Sequence, residues 1–181
     1  MSVTLIDIDQ KTINILKGLI MDMVRNANSG HTGGPFSSMN FVYVLYKEFL
    51  KFDPNNPNWI NRDRFVMSCG HESALMYSIL TLIGWIDVED LKQFRQLHSK
   101  TPGHPERGVT PGVDSTTGPL GQGVGNAVGM AVAEALLRET YGEKHIDHFT
   151  YFLHSDGDIQ EPVAVGSILG DSVFNIAISL W

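Results

Sequence analysis

The sequence has a single cysteine, Cys69, among 181 residues. A disulfide framework needs pairs and a cysteine-rich zinc site needs several thiolates, so both are excluded. A reducing, cytoplasmic setting is expected. Basic residues are also scarce: 13 Lys and Arg stand against 20 Asp and Glu, a formal net charge of −7. A field of that sign repels polyanions, so nucleic acid is not expected as a partner. Uninterrupted apolar runs are missing too. The acids Asp7 and Asp9 near the start leave no apolar core for a signal peptide, and none is expected. The most apolar long stretch, Val163–Trp181, contains Asp171 and Asn175, which a bilayer span would hold at hydrocarbon depth. It reads as protein interior, and no membrane partner is expected. Repeats and low-complexity tracts are absent. What remains is an ordinary globular composition, long enough for one domain with a sizeable core.

Within that domain, helical patterns alternate with loops and short strands. Ile13, Leu16, Ile20, Met23 and Val24 repeat at helical spacing over Asp9–Asn26, and turn-forming residues from Asn28 to Pro35 end that helix. A second helix is predicted from Ser37 to Leu50, with Phe41, Val44, Leu45 and Phe49 on its apolar face. Arg64–Ser68 reads as a strand closed by Cys69-Gly70-His71. Ala74–Gly84 is a nearly all-apolar helix too short to cross a membrane, and Val88–Leu97 a charged amphipathic one. The segment 98–125, rich in glycine and proline, has no regular pattern; a loop of that length in a compact domain is usually functional. A small-residue helix over Gly125–Glu139 leads to a buried strand, Phe149–Leu153. This alternation predicts an α/β fold with a three-layer arrangement, helices flanking a mainly parallel sheet.

The candidate chemistry lies where these strands end. Phe149–Leu153 runs into His154-Ser155-Asp156-Gly157-Asp158-Ile159-Gln160-Glu161, a turn dense in carboxylates. Asp156, after a strand and beside a glycine, suits a hard cation that carries a phosphate, and open α/β sheets bind ligands at that end. Three Gly-His pairs, Gly30-His31, Gly70-His71 and Gly103-His104, share a loop setting. An imidazole there can bind a phosphate oxygen, polarise a carbonyl or move protons near neutral pH, with room beside it for a substrate. His98, His145, His148 and His154 lack that setting and are read as structural. Gly118-Pro119-Leu120-Gly121-Gln122-Gly123 enters a helix and offers backbone N–H groups to an anion. Its spacing matches neither the dinucleotide fingerprint nor the P-loop. Two chemistries stay open on these residues: a His/Asp metal hydrolase, and an enzyme that uses a metal-bound diphosphate cofactor with histidines on the substrate.

The order Asn28-Ser29-Gly30-His31-x-Gly-Gly, Ser68-Cys69-Gly70-His71, Phe94–Glu106, Thr116–Gly123 and the acidic turn resembles transketolase over roughly Leu16–Glu161. The resemblance implies thiamin diphosphate with Mg²⁺ or Ca²⁺, and transfer of a two-carbon ketol unit from a ketose phosphate to an aldose phosphate. It implies that Asp156 binds the metal, with Gly157 beside the diphosphate. His71 would lie near both diphosphate and substrate, while His31 and His104 would hydrogen-bond the donor sugar and assist proton transfer. Gly118 and Leu120 would touch the cofactor, and Glu161 would link active sites across a dimer.

The chain departs from the family pattern at Thr32, Ser155 and Pro162. A second metal ligand, an asparagine on the next strand, would fall past Trp181, and the pyrimidine-binding and C-terminal domains are expected to be absent. The resemblance therefore implies that residues 1–181 form part of a diphosphate-binding domain, partnered by a second copy or by a complementary C-terminal chain, and inactive alone. A non-catalytic remnant is the other reading of such a fragment. Ala74–Ile86 and Val163–Trp181 are the segments expected to present bare apolar surface.

Overall fold

The computed structural model describes residues 7–170. The first helix, α1, spans Asp7–Ala27 and stops at Asn28, whose left-handed backbone (φ +49°) lets the Ser29 amide reach back to the Val24 carbonyl. Helix α2 covers Gly33–Val44 and continues into a π-turn, Leu45–Phe49. Strand β1 is Arg64–Met67, followed by a 3₁₀ turn at Gly70–Glu72 and α3 at Ser73–Leu82. A single helical turn, α4 (Val88–Leu91), precedes the long irregular segment, which ends at α5, Gln122–Tyr141. Strand β2 (Thr150–Leu153) pairs parallel to β1 with Arg64 opposite Thr150 and Met67 opposite Leu153. The turn α6 (Asp156–Ile159) and the helix α7 (Pro162–Gly170) complete the described chain.

The two strands divide the core because their side chains alternate between faces. Phe65, Met67 and Leu153 join α1, α2 and α3 in the larger apolar cluster. Val66 and Phe152 point the other way, into Val124 and Ala127 of α5 and Ala164 of α7. Helices therefore cover both faces of a parallel pair, the three-layer α/β arrangement expected, with both strands ending on the same edge. Pro162 opens α7, where a missing N–H costs nothing. Among the described residues no helix is long and apolar enough to cross a membrane.

Four expectations need correcting. Helix α2 starts at Gly33 and buries Pro35, Met39, Val42 and Tyr43, while Phe41 and Phe49 face solvent. Apolar residues stand on every side of this segment, so periodicity could not choose its face. A specific bond does: the Tyr43 hydroxyl donates to the buried Asp9 carboxylate at 2.7 Å. The Val88–Leu97 helix is cut to one turn. A capping box of Asp87 and Asp90 starts it, but Arg95 and His98 take positive φ, and the Arg95 amide bonds the Thr101 carbonyl instead of a helical partner. Helix α5 begins three residues early, at Gln122. On α3 bare apolar surface is confined to the exposed Leu82, and Ala74–Leu80 is buried. It is also found on α7, where Val163, Val165 and Leu169 are exposed. Val173–Trp181 lies outside the described residues.

His148, read as structural, is buried just before β2 with Nδ1 lacking a partner. Burial first, then the charges of Arg64 and Lys51, push its pKa down to about 4. The native state thus refuses a proton that the unfolded chain accepts near the ordinary histidine value of about 6.5. Stability is predicted to hold above pH ~6.5 and to fall as pH drops towards 4, by on the order of 2–3 kcal/mol from this group. Urea unfolding of wild type and His148→Gln at pH 7 and 4.5 checks it. An equal loss in both chains sinks the assignment.

Candidate active site

Both strands deliver their carboxyl ends to one edge, and the candidate residues collect there. Ser68-Cys69-Gly70-His71 leaves β1, and a Cβ on Gly70 would stand 2.8 Å from both Gly118 N and Thr117 Oγ1. Only glycine allows this approach, which draws the third loop onto the second. The His31 and His71 rings meet edge to face with centroids 5.1 Å apart. The side chain of His104 lies over Gly118, 3.6 Å from where a Cβ would be. The three Gly-His loops, far apart in sequence, therefore form one cluster.

The third loop is held from α3. Tyr77, buried beneath it, donates its hydroxyl to the Pro102 carbonyl at 2.7 Å, shared with the His104 carbonyl at 3.3 Å. Ser73 Oγ donates to the Gly103 carbonyl at 2.8 Å. Two of the imidazoles are in surroundings that favour the neutral ring. Burial lowers the pKa of His71 first, and the neighbouring His31 and His104 add to it. His104 is lowered by partial burial, then by the Arg95 guanidinium and His31. A neutral imidazole both donates and accepts, as proton transfer near pH 7 requires.

Asp156 begins α6 at the end of β2, is exposed, and makes no hydrogen bond or ion pair among the described residues. It lines a cleft of about 850 Å³ with His71, Glu72, Ser37, Ser38, His154 and Ser155. Gly157 is exposed beside it, 4.0 Å (as a Cβ would measure) from the Leu120 side chain. Glu161 is half-buried against Gly121. Ser155 caps α6, accepting from the Asp158 amide at 3.3 Å. A free carboxylate at a strand's carboxyl end, beside an exposed glycine, fits a hard cation bridged to a diphosphate; such a cation uses one or two carboxylates plus phosphate oxygens. Among the described residues no three His, Cys, Asp or Glu side chains form a group able to hold a metal by themselves.

Asp158 went unassigned in the sequence. It is fully buried, and its Oδ1 accepts the Gly121 amide at 2.6 Å, tying the acidic turn to the glycine loop. Its Oδ2 is buried without a partner. The entrance to α5 is thus served partly from inside: Gly121 N–H by Asp158 and Val124 N–H by Ser68 Oγ at 3.1 Å. Glu72, also unassigned, is buried next to His71 with Oε2 unpartnered, and burial raises its pKa. Local sequence carried no sign of either role, since a solvated acid and a buried one look alike there. His154, read as structural, is buried with its ring 5.7 Å from that of Phe152, yet it borders the cleft.

Known proteins agree with this geometry. A family model described as "Transketolase, thiamine diphosphate binding domain" matches residues 8–175. Transketolase of Aquifex aeolicus is 51% identical over 180 residues, covering 96% of this chain and 26% of that protein. Transketolase 2 of Escherichia coli is 51% identical over 155 residues, covering 83% and 23%. Among solved structures, the transketolases of Campylobacter jejuni and Leishmania mexicana both superimpose with TM-score 0.86, at 51% and 46% identity, each over 91% of this chain. The chain spans about a quarter of the length of these relatives.

The Asp158–Gly121 bond yields a stability prediction. Asp158→Ala removes a buried acceptor and leaves the Gly121 amide unpaired, a loss of about 1–3 kcal/mol. Asp158→Asn keeps an oxygen for that amide and is expected to lose less. Urea unfolding gives the ranking, and amide hydrogen exchange at Gly121 gives the local effect. An alanine variant with wild-type stability and a still-protected Gly121 amide contradicts the role.

Proposed function

This chain belongs to the transketolase family, and on that footing we propose that it forms the metal–diphosphate side of a thiamin diphosphate site for ketol transfer between sugar phosphates. One observation carries the reading. The unpaired Asp156, the exposed Gly157 and the Gly118–Leu120 loop stand at the strands' carboxyl edge, with His71, His31 and His104 gathered beside them. In this reading Asp156 binds Mg²⁺ or Ca²⁺, and Gly157, Gly118 and Leu120 line the cofactor. When bound, thiamin diphosphate supplies the carbanion chemistry that moves a two-carbon unit from a ketose phosphate to an aldose phosphate. His71 faces diphosphate and substrate together. His31 and His104, both exposed, bind hydroxyl and carbonyl oxygens of the sugar and move protons at those atoms. Glu161 reaches towards a second subunit, and the assembly is a homodimer or a pairing with a complementary chain.

The hydrolase alternative requires a protein-built metal centre, and the described residues offer no group of three ligands for one. The family's remaining three quarters carry the other side of the site, so residues 1–181 belong to a partial diphosphate-binding domain in this proposal. Completion by a partner restores turnover in it, which separates it from a non-catalytic remnant.

The test is a ketol-transfer assay with thiamin diphosphate, Mg²⁺ and a ketose phosphate donor. The isolated chain is expected to show no turnover. Joined to the remaining domains of the A. aeolicus relative, it is expected to turn over. In that joined protein Asp156→Ala should abolish the Mg²⁺ dependence of cofactor binding. His31→Ala and His104→Ala should lower turnover about 10²–10⁴-fold with cofactor affinity nearly intact. Turnover by the isolated chain, or cofactor affinity untouched by Asp156→Ala, overturns the respective part.

A further inference from the structure

The loops that carry the first and third Gly-His pairs are joined by a side chain to which the proposed function gives no part. Arg95 follows α4 with a left-handed backbone, φ +63°, a conformation that residues with a Cβ seldom take. Its amide donates to the Thr101 carbonyl at 2.9 Å, so the conformation is pinned at the main chain. Thr101 is itself fully buried, its hydroxyl donating to the Asp90 carbonyl at 2.8 Å.

This turn sends the guanidinium between the two loops. On one side Nη1 donates to Ser29 Oγ at 3.0 Å, two residues before His31. On the other the group packs on Gly103, immediately before His104; a Cβ there would stand 3.4 Å from Arg95 Cζ. Phe94 closes the same joint from inside. Its ring would lie 3.1 Å from a Cβ on Gly30, and it meets the Tyr77 ring edge-on at 6.0 Å. Arg95 Nε is buried and without a partner. A side chain held at both ends, from a backbone conformation of poor intrinsic stability, marks a place where the surrounding structure over-determines the geometry.

We propose that Arg95 is a positioning residue for His31 and His104: its guanidinium clamps the two Gly-His loops together and holds a permanent positive charge beside the His104 imidazole. To an imidazolium that charge is repulsive, so it favours the neutral ring. The other titratable group that acts on His104 is His31 across the cluster, while α3 contributes the Tyr77 hydroxyl on its carbonyl. Lysine cannot replace the group, because it lacks both the planar face for Gly103 and the fork that reaches Ser29.

The proposal rests on the reading of His31 and His104 as functional, but its test needs neither cofactor nor turnover and fails separately from that reading. Histidine ring signals of the 181-residue chain are followed by NMR across pH 4–9 in wild type, Arg95→Gln and Ser29→Ala. Arg95→Gln is expected to raise the His104 midpoint by about half a pH unit, the effect of removing one partly solvated like charge. His71, on which Arg95 is not among the acting charges, serves as the internal reference and stays in place. Ser29→Ala keeps the charge and removes only an exposed tether, so His104 should move the same way by less. Coincident His104 curves in wild type and Arg95→Gln overturn the electrostatic role. Equal movement of His71 and His104 overturns it too, because that reports general loosening. A Ser29→Ala curve identical to wild type overturns the clamp, and that exposed variant carries the test alone if Arg95→Gln fails to fold.

Discussion

Between α4 and α5 some thirty residues run without regular structure, and their backbone N–H and C=O groups cannot pair with one another as in a helix or sheet. Turn bonds within the segment, such as Thr117 N–H to the Pro105 carbonyl, meet part of that need, and side chains of the scaffold and of the segment itself meet more. Tyr77 and Ser73 hold the carbonyls of Pro102, Gly103 and His104 from α3, and Thr110 Oγ1 holds the Lys100 carbonyl at 2.6 Å. Asp114 ties the segment to β1, accepting Arg62 Nη2 at 2.6 Å, Arg62 Nη1 at 3.0 Å and the Phe65 amide at 3.0 Å. Asp158 fixes its far end at Gly121. Everything at the candidate site follows from these anchors. His104, Gly118 and Leu120 ride on the segment, and its ends are fastened to the same two strands that present His71 and Asp156.

The sequence showed the points where main-chain geometry is local. Strand ends, the three Gly-His pairs, the acidic turn and the order of the motifs could be read from residue type and spacing, and the family followed from them. The structure adds what spacing cannot hold. Phe41 and Met39 are both apolar, yet only Met39 is buried, because the Tyr43–Asp9 bond sets the roll of α2. Val88–Leu97 has helical periodicity, but the competing bond from Arg95 to Thr101 wins over one more helical turn. Asp156 and Asp158 are indistinguishable as letters two positions apart. One is exposed and free; the other is fully buried and bonded to the main chain of a distant loop.

The entrance to α5 shows how a general expectation becomes specific. A glycine-rich loop opening a helix offers a positive end to an anion. Here the buried Asp158 carboxylate is a protein anion at that end, on the Gly121 amide, and Ser68 serves the Val124 amide. Under the proposed function, the loop's contribution to an external ligand would thereby fall one step back, on Gly118 and Leu120. These lie against His104 and Gly157 respectively.

Charge is distributed across this edge with a physical logic. Cys69 sits between His71 and the core with its thiol pKa pushed up, by burial first and then by Glu72 and Asp158, so it stays protonated and inert. Reactivity at the Ser-Cys-Gly-His motif therefore passes to the imidazole. Three histidines share one space: burial, then His31 and His104, disfavour protonation of His71, and burial, then Arg95 and His31, disfavour it at His104. Neutral rings at His71 and His104 offer little charge to an anion, and under the proposed function they would exchange protons with the sugar. Anion binding has to come from a cation instead. In the proposed function that cation is recruited by Asp156, an exposed carboxylate with no ion-pair partner among the described residues. Under the proposed function, a metal-binding acid is thus separated from the proton carriers within this quarter of the family's length.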